Sequence, residues 1–313
     1  MVIEVNNLVK RYGEMTAVDH LSLSINEGEV FGLLGPNGSG KTTTINCILS
    51  LLKYQEGEIK IFNKEMTPKS YDIKRDIGVV MQNVAVFDEL TVYENVRYFC
   101  GLYIKDKEKC KKMTEEAIEF VGLVEFKKFY PKKLSGGLLR RLNIACGIAH
   151  KPKLVILDEP TVAVDPQSRN NILEGILKLN ESGVTVIYTS HYMEEIEQIC
   201  TRIAIMDKGK IIAEGTKEEI KELTSGGEKI TVELFKGKYG DILEKVKALD
   251  AIKEAYIEGN ILKATARKSV NGLMEMLNCL NENNIEFGNI YSEKPTLNDV
   301  FLEITGKELR DNV

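Results

Sequence analysis

Apolar and polar positions alternate early in the chain and later fuse into short uninterrupted runs, so two kinds of sheet are expected. Ile3-Glu4-Val5 and Leu21-Ser22-Leu23-Ser24-Ile25 alternate, as strands with one covered face do. Asn26-Glu27-Gly28-Glu29 reads as a turn, which closes an antiparallel β element. Val30-Phe31-Gly32-Leu33-Leu34, Lys153-Leu154-Val155-Ile156-Leu157 and Val184-Thr185-Val186-Ile187-Tyr188-Thr189-Ser190 lack alternation and fit parallel strands buried on both faces. Ile77-Gly78-Val79-Val80-Met81-Gln82 reads as another buried strand ending on a polar residue, and Glu58–Phe62 as a further strand. Ile203–Met206 and Lys210–Gly215 predict a hairpin around Asp207 to Gly209.

Between about Asp88 and Lys151 the period becomes helical. Val92, Val96 and Phe99 recur at i, i+4 and i+7, and Met113, Ala117, Ile118 and Val121 do likewise, which predicts a helical insert. Its charges, such as Lys105 to Lys112, read as a solvated face. Ser225-Gly226-Gly227 is a linker signal. Beyond it the pattern is strand (229–235), helix (239–249), strand (252–257), strand (260–266), helix (270–281), strand (285–292) and helix (297–308). That β-α-β-β-α-β order predicts a small ferredoxin-like α+β appendage. The expected division is therefore residues 1–224 and 225–313, with a helical subdomain at about 88–151.

Composition narrows the class of partner. The 313 residues exceed the usual single-domain size, and 43% hydrophobic with 28% charged residues is ordinary for a globular protein. A net charge of −5 leaves no basic excess for a phosphate backbone, so nucleic acid is not an expected partner. The six cysteines stand without a C-x-x-C pair, which suits free thiols in a reducing compartment. No apolar stretch approaches the roughly 18 residues needed to span a bilayer, and Met1-Val2-Ile3-Glu4 has no signal-peptide plan.

The candidate chemistry starts at Gly35-Pro36-Asn37-Gly38-Ser39-Gly40-Lys41-Thr42, between the apolar run at 30–34 and the helix-like Thr43–Leu49. This is the G-x-x-x-x-G-K-[ST] phosphate loop in its required strand–turn–helix setting. Glycines let the backbone approach an anion closely, so successive N–H groups converge on it at the positive end of the following helix. Lys41 supplies a point charge for the β- and γ-phosphates, and the Thr42 hydroxyl suits Mg²⁺. An ordinary glycine-rich turn is the bland alternative, and four fixed positions arise by chance in roughly one chain of this length in a hundred.

Four further features fall along the chain. Asp158-Glu159 follow a buried strand at the edge where ligands of open α/β sheets bind. There one carboxylate can serve a metal and the other orient water, unless both merely cap a helix. Gln82 and His191 exit buried strands at the same edge, and each alone is a weak signal. Leu134-Ser135-Gly136-Gly137-Leu138 places an N-cap and two glycines at a helix start, a second anion-type site or, taken alone, a plain cap. Tyr12, beside Gly13, could offer a flat face to a base, although a lone tyrosine more often packs.

Taken in order, the phosphate loop, Gln82, Leu134-Ser135-Gly136-Gly137, Leu154 to Glu159 and His191 resemble the nucleotide-binding subunit of an ATP-binding cassette (ABC) transporter, over about residues 1–220. The resemblance implies a P-loop NTPase core with an antiparallel β subdomain and a helical insert. It implies that Tyr12 stacks on adenine, that Gly35, Pro36, Asn37, Gly38, Ser39, Gly40, Lys41, Thr42 and Thr43 hold the phosphates, and that Gln82 joins the Mg²⁺ site to the transmembrane partner. Asp158 then supports Mg²⁺, Glu159 polarises the attacking water and His191 contacts the γ-phosphate. Ser135, Gly136 and Gly137 of one subunit would close over ATP held by the other in a head-to-tail homodimer. The tail Pro295–Leu309 resembles that of exporter ATPases whose permease is a separate chain, implying a cytoplasmic subunit held peripherally at the inner face of the membrane. Leu138 stands where the family usually has glutamine, and Val162-Ala163-Val164-Asp165 replaces Ser-Gly-Leu-Asp. Two other readings stay open: a soluble ABC protein acting on ribosomes or DNA, and a regulatory cassette that binds nucleotide without turnover.

Overall fold

β1 (Ile3–Tyr12) and β2 (Met15–Ile25) pair antiparallel with Ile3 opposite Ile25 and Val5 opposite Leu23, so the alternating apolar positions share one face. β3 (Val30–Leu34) then leads through the glycine turn into α1 (Lys41–Ile48). β4 (Glu56–Ile61) and β5 (Lys64–Glu65) return to the free edge of β1, completing an antiparallel sheet of order β2-β1-β4-β5. The computed structural model describes residues 1–224, 226–236, 239–268 and 271–305.

After α2 (Tyr71–Lys74) comes β6 (Ile77–Val80), followed by the helical region of α3 (Val92–Gly101), α4 (Lys107–Phe120) and α5 (Gly136–Ile148). β7 (Leu154–Asp158), α6 (Pro166–Glu181), β8 (Thr185–Ser190) and α7 (Met193–Ile199) alternate, and the hairpin β9 (Arg202–Asp207) and β10 (Lys210–Thr216) precedes α8 (Lys217–Lys221). The second sheet runs β10-β9-β3-β8-β7-β6, parallel throughout except for β10 against β9. Every residue of β3, β7 and β8 is buried, as their unbroken apolar runs predict. Ile45 and Ile48 of α1 pack in one core with Val5 and Leu23 of the first sheet and Leu33, Ile156 and Ile187 of the second. Each such side chain removed from water contributes about 1.5–3 kcal/mol, so α1 and the glycine turn before it are fixed from two sides.

β6 ends at Val80, so Gln82 lies just past the strand. The reason is in α5: Arg140 Nη1 and Asn143 Nδ2 donate to Met81 O at 3.2 and 3.4 Å, and Asn143 Oδ1 accepts from Ala85 N at 3.2 Å. The chain is drawn off the sheet onto the helix before Gln82 is reached.

The chain divides into two compact units between Lys217 and Glu218. In the second, the elements run β11 (Gly226–Lys236), α9 (Tyr239–Lys247), β12 (Ile252–Glu258), β13 (Ile261–Arg267), α10 (Gly272–Glu282), β14 (Glu286–Glu293) and α11 (Leu297–Thr305), and the four strands pair antiparallel in the order β12-β13-β11-β14. Ile230, Val232 and Leu234 pack with Ile242, Val246, Met276 and Leu280 into a separate core, which makes the α+β appendage ferredoxin-like. Gly226 and Gly227 begin β11 and are not free linker: a Cβ on Gly227 would meet Arg267 O at 2.6 Å. Ser225, residue 270 at the start of the expected fifth element and the tail beyond Thr305 lie outside the described residues.

Candidate active site

The phosphate loop is shaped by its neighbours. Gly38 and Gly40 adopt φ of 77° and 107°, open to glycine at no steric cost. A Cβ on Gly40 would lie 2.5 Å from Ala17 O, and one on Gly35 would lie 2.3 Å from Met206 O, so β2 and β9 leave no room for side chains. Gly209 N donates to Ser39 O at 2.8 Å, tying the β9–β10 turn to the loop. A cleft of about 500 Å³ opens here, lined by Tyr12, Met15, Thr16, Ala17, Asn37, Gly38, Gly40, Lys41, Thr42, Thr43, Gln82, Glu159, Lys208 and Gly209.

The polar groups converge on Glu159. Lys41 Nζ lies 3.2 Å from its Oε1 and also donates to Gly35 O at 2.7 Å and Pro36 O at 3.2 Å. Gln82 Nε2 donates to Glu159 Oε2 at 3.3 Å, and His191 Nδ1 lies 3.4 Å from the same oxygen. Burial works to raise the Glu159 carboxyl, but His191 and Lys41 outweigh it and hold the group below the usual carboxylate range. The residue sits at φ 47°, a left-handed conformation unusual for a side chain of this size. It is held there by β8, where Thr189 Oγ1 accepts from Glu159 N at 3.0 Å.

Asp158 is fully buried and reaches the cleft through Thr42, whose Oγ1 donates to Asp158 Oδ2 at 2.8 Å; Thr189 Oγ1 donates to the other oxygen at 2.6 Å. The groups on offer to a metal, the Thr42 hydroxyl, the Asp158 carboxylate and the Gln82 amide, are hard oxygens of the kind Mg²⁺ takes. Ser39 Oγ is buried with no hydrogen-bond partner among the described residues. A buried hydroxyl, a lysine and a curled row of N–H groups fit a phosphate chain carrying its Mg²⁺.

Tyr12 is exposed at the rim, with Lys10 Nζ 4.6 Å from its ring centroid. Ser135 caps α5, its Oγ accepting from Leu138 N at 3.3 Å through the backbone, so Leu138 in place of glutamine leaves the cap intact. Gly137 packs so closely on α6 that a Cβ would meet Ser168 Oγ at 2.3 Å. Ser135 and Gly136 are exposed, and the segment 135–137 does not line the cleft of its own chain. The sequence reading missed Thr189, Arg140, Asn143 and Lys208. Thr189 and Asn143 carried no signal; Lys208, in the hairpin turn at φ 45°, had only the turn itself to mark it.

A parallel sheet whose carboxyl edge gathers a phosphate loop, an Mg²⁺-suited oxygen set and an ionised glutamate defines the class: a P-loop ATPase. The sequence model of the ABC transporter family matches residues 18–162. The linearmycin resistance ATP-binding protein LnrL of Bacillus subtilis is 38% identical over 99% of this chain and 100% of its own length. The Nod factor export ATP-binding protein I of Ralstonia nicotianae is 34% identical, covering 99% and 95%. The dimeric, post-hydrolysis structure of the ATP-binding cassette MJ0796 bound to ADP and Pi superposes with a TM-score of 0.63 at 30% identity, over 68% of this chain and 98% of that one. The chain belongs to the ATP-binding subunits of ABC transporters and is an ATPase of that family. The expected core fold and family are borne out.

Proposed function

We propose that this subunit works as one half of a head-to-tail homodimer that closes on two ATP, hydrolyses them and drives a separate membrane permease, in the export direction. The observation that carries the reading is that the cleft of one chain gathers Tyr12, the phosphate loop, Gln82 and Glu159, whereas the Ser135-Gly136-Gly137 helix tip, with Ser135 and Gly136 exposed, stands elsewhere on the same unit. Only a second copy can bring that helix tip to the phosphates, and the dimeric MJ0796 cassette lends the arrangement support. Export is supported by full-length similarity to proteins named for antibiotic resistance and for Nod factor export. Among the described residues no helix is long and apolar enough to cross a membrane, so attachment at its inner face would run through the permease.

In this reading Tyr12 stacks on the base, Gly35 to Thr43 hold the phosphates, and Lys41 leaves Glu159 for the β- and γ-oxygens. Thr42, Asp158 and Gln82 would hold Mg²⁺, which would supply positive charge beside the phosphates. Glu159, which His191 and Lys41 keep ionised in the resting site, accepts the proton of the attacking water, and His191 contacts the γ-phosphate. Closure is driven by tighter binding of ATP to the closed state, since equal affinity would shift nothing. Replacing Glu159→Gln keeps the shape and removes the base. Phosphate release should fall by roughly 10²–10⁴-fold, while ATP binding persists and a dimer accumulates on gel filtration. Undiminished turnover would remove Glu159 from its assigned role.

A further inference from the structure

Beneath the cleft lies a carboxylate that this chemistry does not use. Glu195, on α7, is 2 % exposed. Its Oε2 accepts from Tyr188 OH at 2.7 Å and from Ser190 Oγ at 2.8 Å, and its Oε1 lies 3.3 Å from Arg169 Nε on α6. Each partner leads to a moving part of the proposed mechanism. Ser190 Oγ also accepts from Tyr192 N at 2.9 Å, so the hydroxyl brackets His191 between its neighbours. Tyr188 OH meets Thr161 Oγ1 at 3.3 Å, on the segment that leaves Glu159. Burial, and after it Glu195, push the Tyr188 phenol well above its ordinary range, so it stays a donor to Glu195 and leaves Thr161 to donate to it. Arg169 N donates to Asp165 O at 2.9 Å, and the Arg169 guanidinium lies 4.8 Å from the Tyr192 ring centroid, which is 4.1 Å from that of His191.

We propose that Glu195 is a positioning residue that ties the His191 turn to the Thr161–Asp165 segment, so that the group contacting the γ-phosphate and the loop carrying the altered Val162-Ala163-Val164 shift as one. The inference rests on the roles assigned to Glu159 and His191. A buried carboxylate on α7 that takes two hydroxyl donors from β8 and pairs with Arg169 of α6 has two discrete outcomes, intact or broken, because a partly satisfied polar network is costly in the interior. Breaking it should loosen the geometry of the reacting groups without touching the residues that bind ATP.

The test uses the full chain and four variants: Tyr188→Phe, Thr161→Val, the two combined, and Glu195→Gln. Tyr188→Phe and Thr161→Val each sever the same arm while keeping side-chain volume. Each should lower kcat about 10-fold, since an ångström of misplacement is worth that or more, with KM for ATP within about 2-fold and Tm within about 3 °C. The combined variant should be no slower than the slower single one, because one link cannot be cut twice. Glu195→Gln should be slower still; if it does not fold, the three other variants decide. A kcat near the parent value, losses that multiply in the combined variant, or a fall in kcat matched by a rise in KM and a drop in Tm would overturn the proposal. Glu159→Gln is run alongside: if that variant still turns over ATP, the site assignment fails and this inference with it. If it is inactive while the Tyr188 and Thr161 variants are normal, only the inference fails.

Discussion

Two residues in left-handed backbone flank the proposed chemistry, and they hold that conformation for different reasons. Glu159, at φ 47°, is held by Thr189 and by its three polar neighbours, a form of strain costing about 1–3 kcal/mol that persists only where the surroundings over-determine it. Ala163, at φ 60°, is exposed. Its Cβ gains no packing there, so Ala163→Gly should raise stability by about 0.5 kcal/mol, relief of strain exceeding the added chain entropy. Urea denaturation would read the shift as a higher midpoint. Lys41, Thr42, Asp158 and Glu159 were legible as letters because phosphate and magnesium chemistry admits few substitutes. Thr189 was not, since a threonine in a buried strand looks like any β-branched filler until Asp158 and Glu159 are set beside it.

α5 carries the pair of glycines on which the proposed dimer closes, and its start is constrained from both sides. Ser135 satisfies one end-group, and Gly137 permits α6 to approach within contact of the backbone. Gly137→Ala should cost about 1–3 kcal/mol, because Ser168 is too short to swing aside and the helices must part. The loss is measurable by thermal unfolding, and ATP-dependent dimer formation should weaken with it. Just past the other end of α5, His150 is 8% exposed, stacked on Tyr103 with ring centroids 3.9 Å apart, and its Nε2 lies 3.3 Å from Ile77 O. Burial holds the imidazole below its ordinary value of 6.5, against the opposite pulls of the Ile77 carbonyl and Asp76. The unfolded chain therefore binds the proton first. Stability from this group is fully present above pH 6.5 and lost as pH falls below it through the depressed value. The urea midpoint should drop between about pH 7.5 and 5.5 more steeply in the parent than in His150→Phe, which keeps the stacking but cannot titrate.

Among the described residues, the core around α1 and the core under the β12-β13-β11-β14 sheet share no buried residue. Units of that kind fold independently when each buries its own apolar face. A fragment of residues 1–224 is thus expected to bind ATP within about 3-fold of the full chain, as read by fluorescent-nucleotide titration, because every residue lining the cleft lies within it. A loss of binding in a folded fragment would give the second unit a part in the nucleotide site itself.

Periodicity alone predicted the antiparallel element, the buried strands, the helical insert and the order of the smaller unit, because the burial of one face or two is written directly into local hydrophobic pattern. The glycine loop and the acidic pair were equally plain, since a close backbone approach and a hard cation each demand particular residue types. Tertiary structure decided the rest: that Gln82 is lifted off its strand by Arg140 and Asn143, that Asp158 accepts from the Thr42 hydroxyl, and that Glu195 of α7 meets β8 and α6. Those arrangements depend on residues far apart in the chain meeting with set angles and distances, and a linear pattern carries periodicity but not distance.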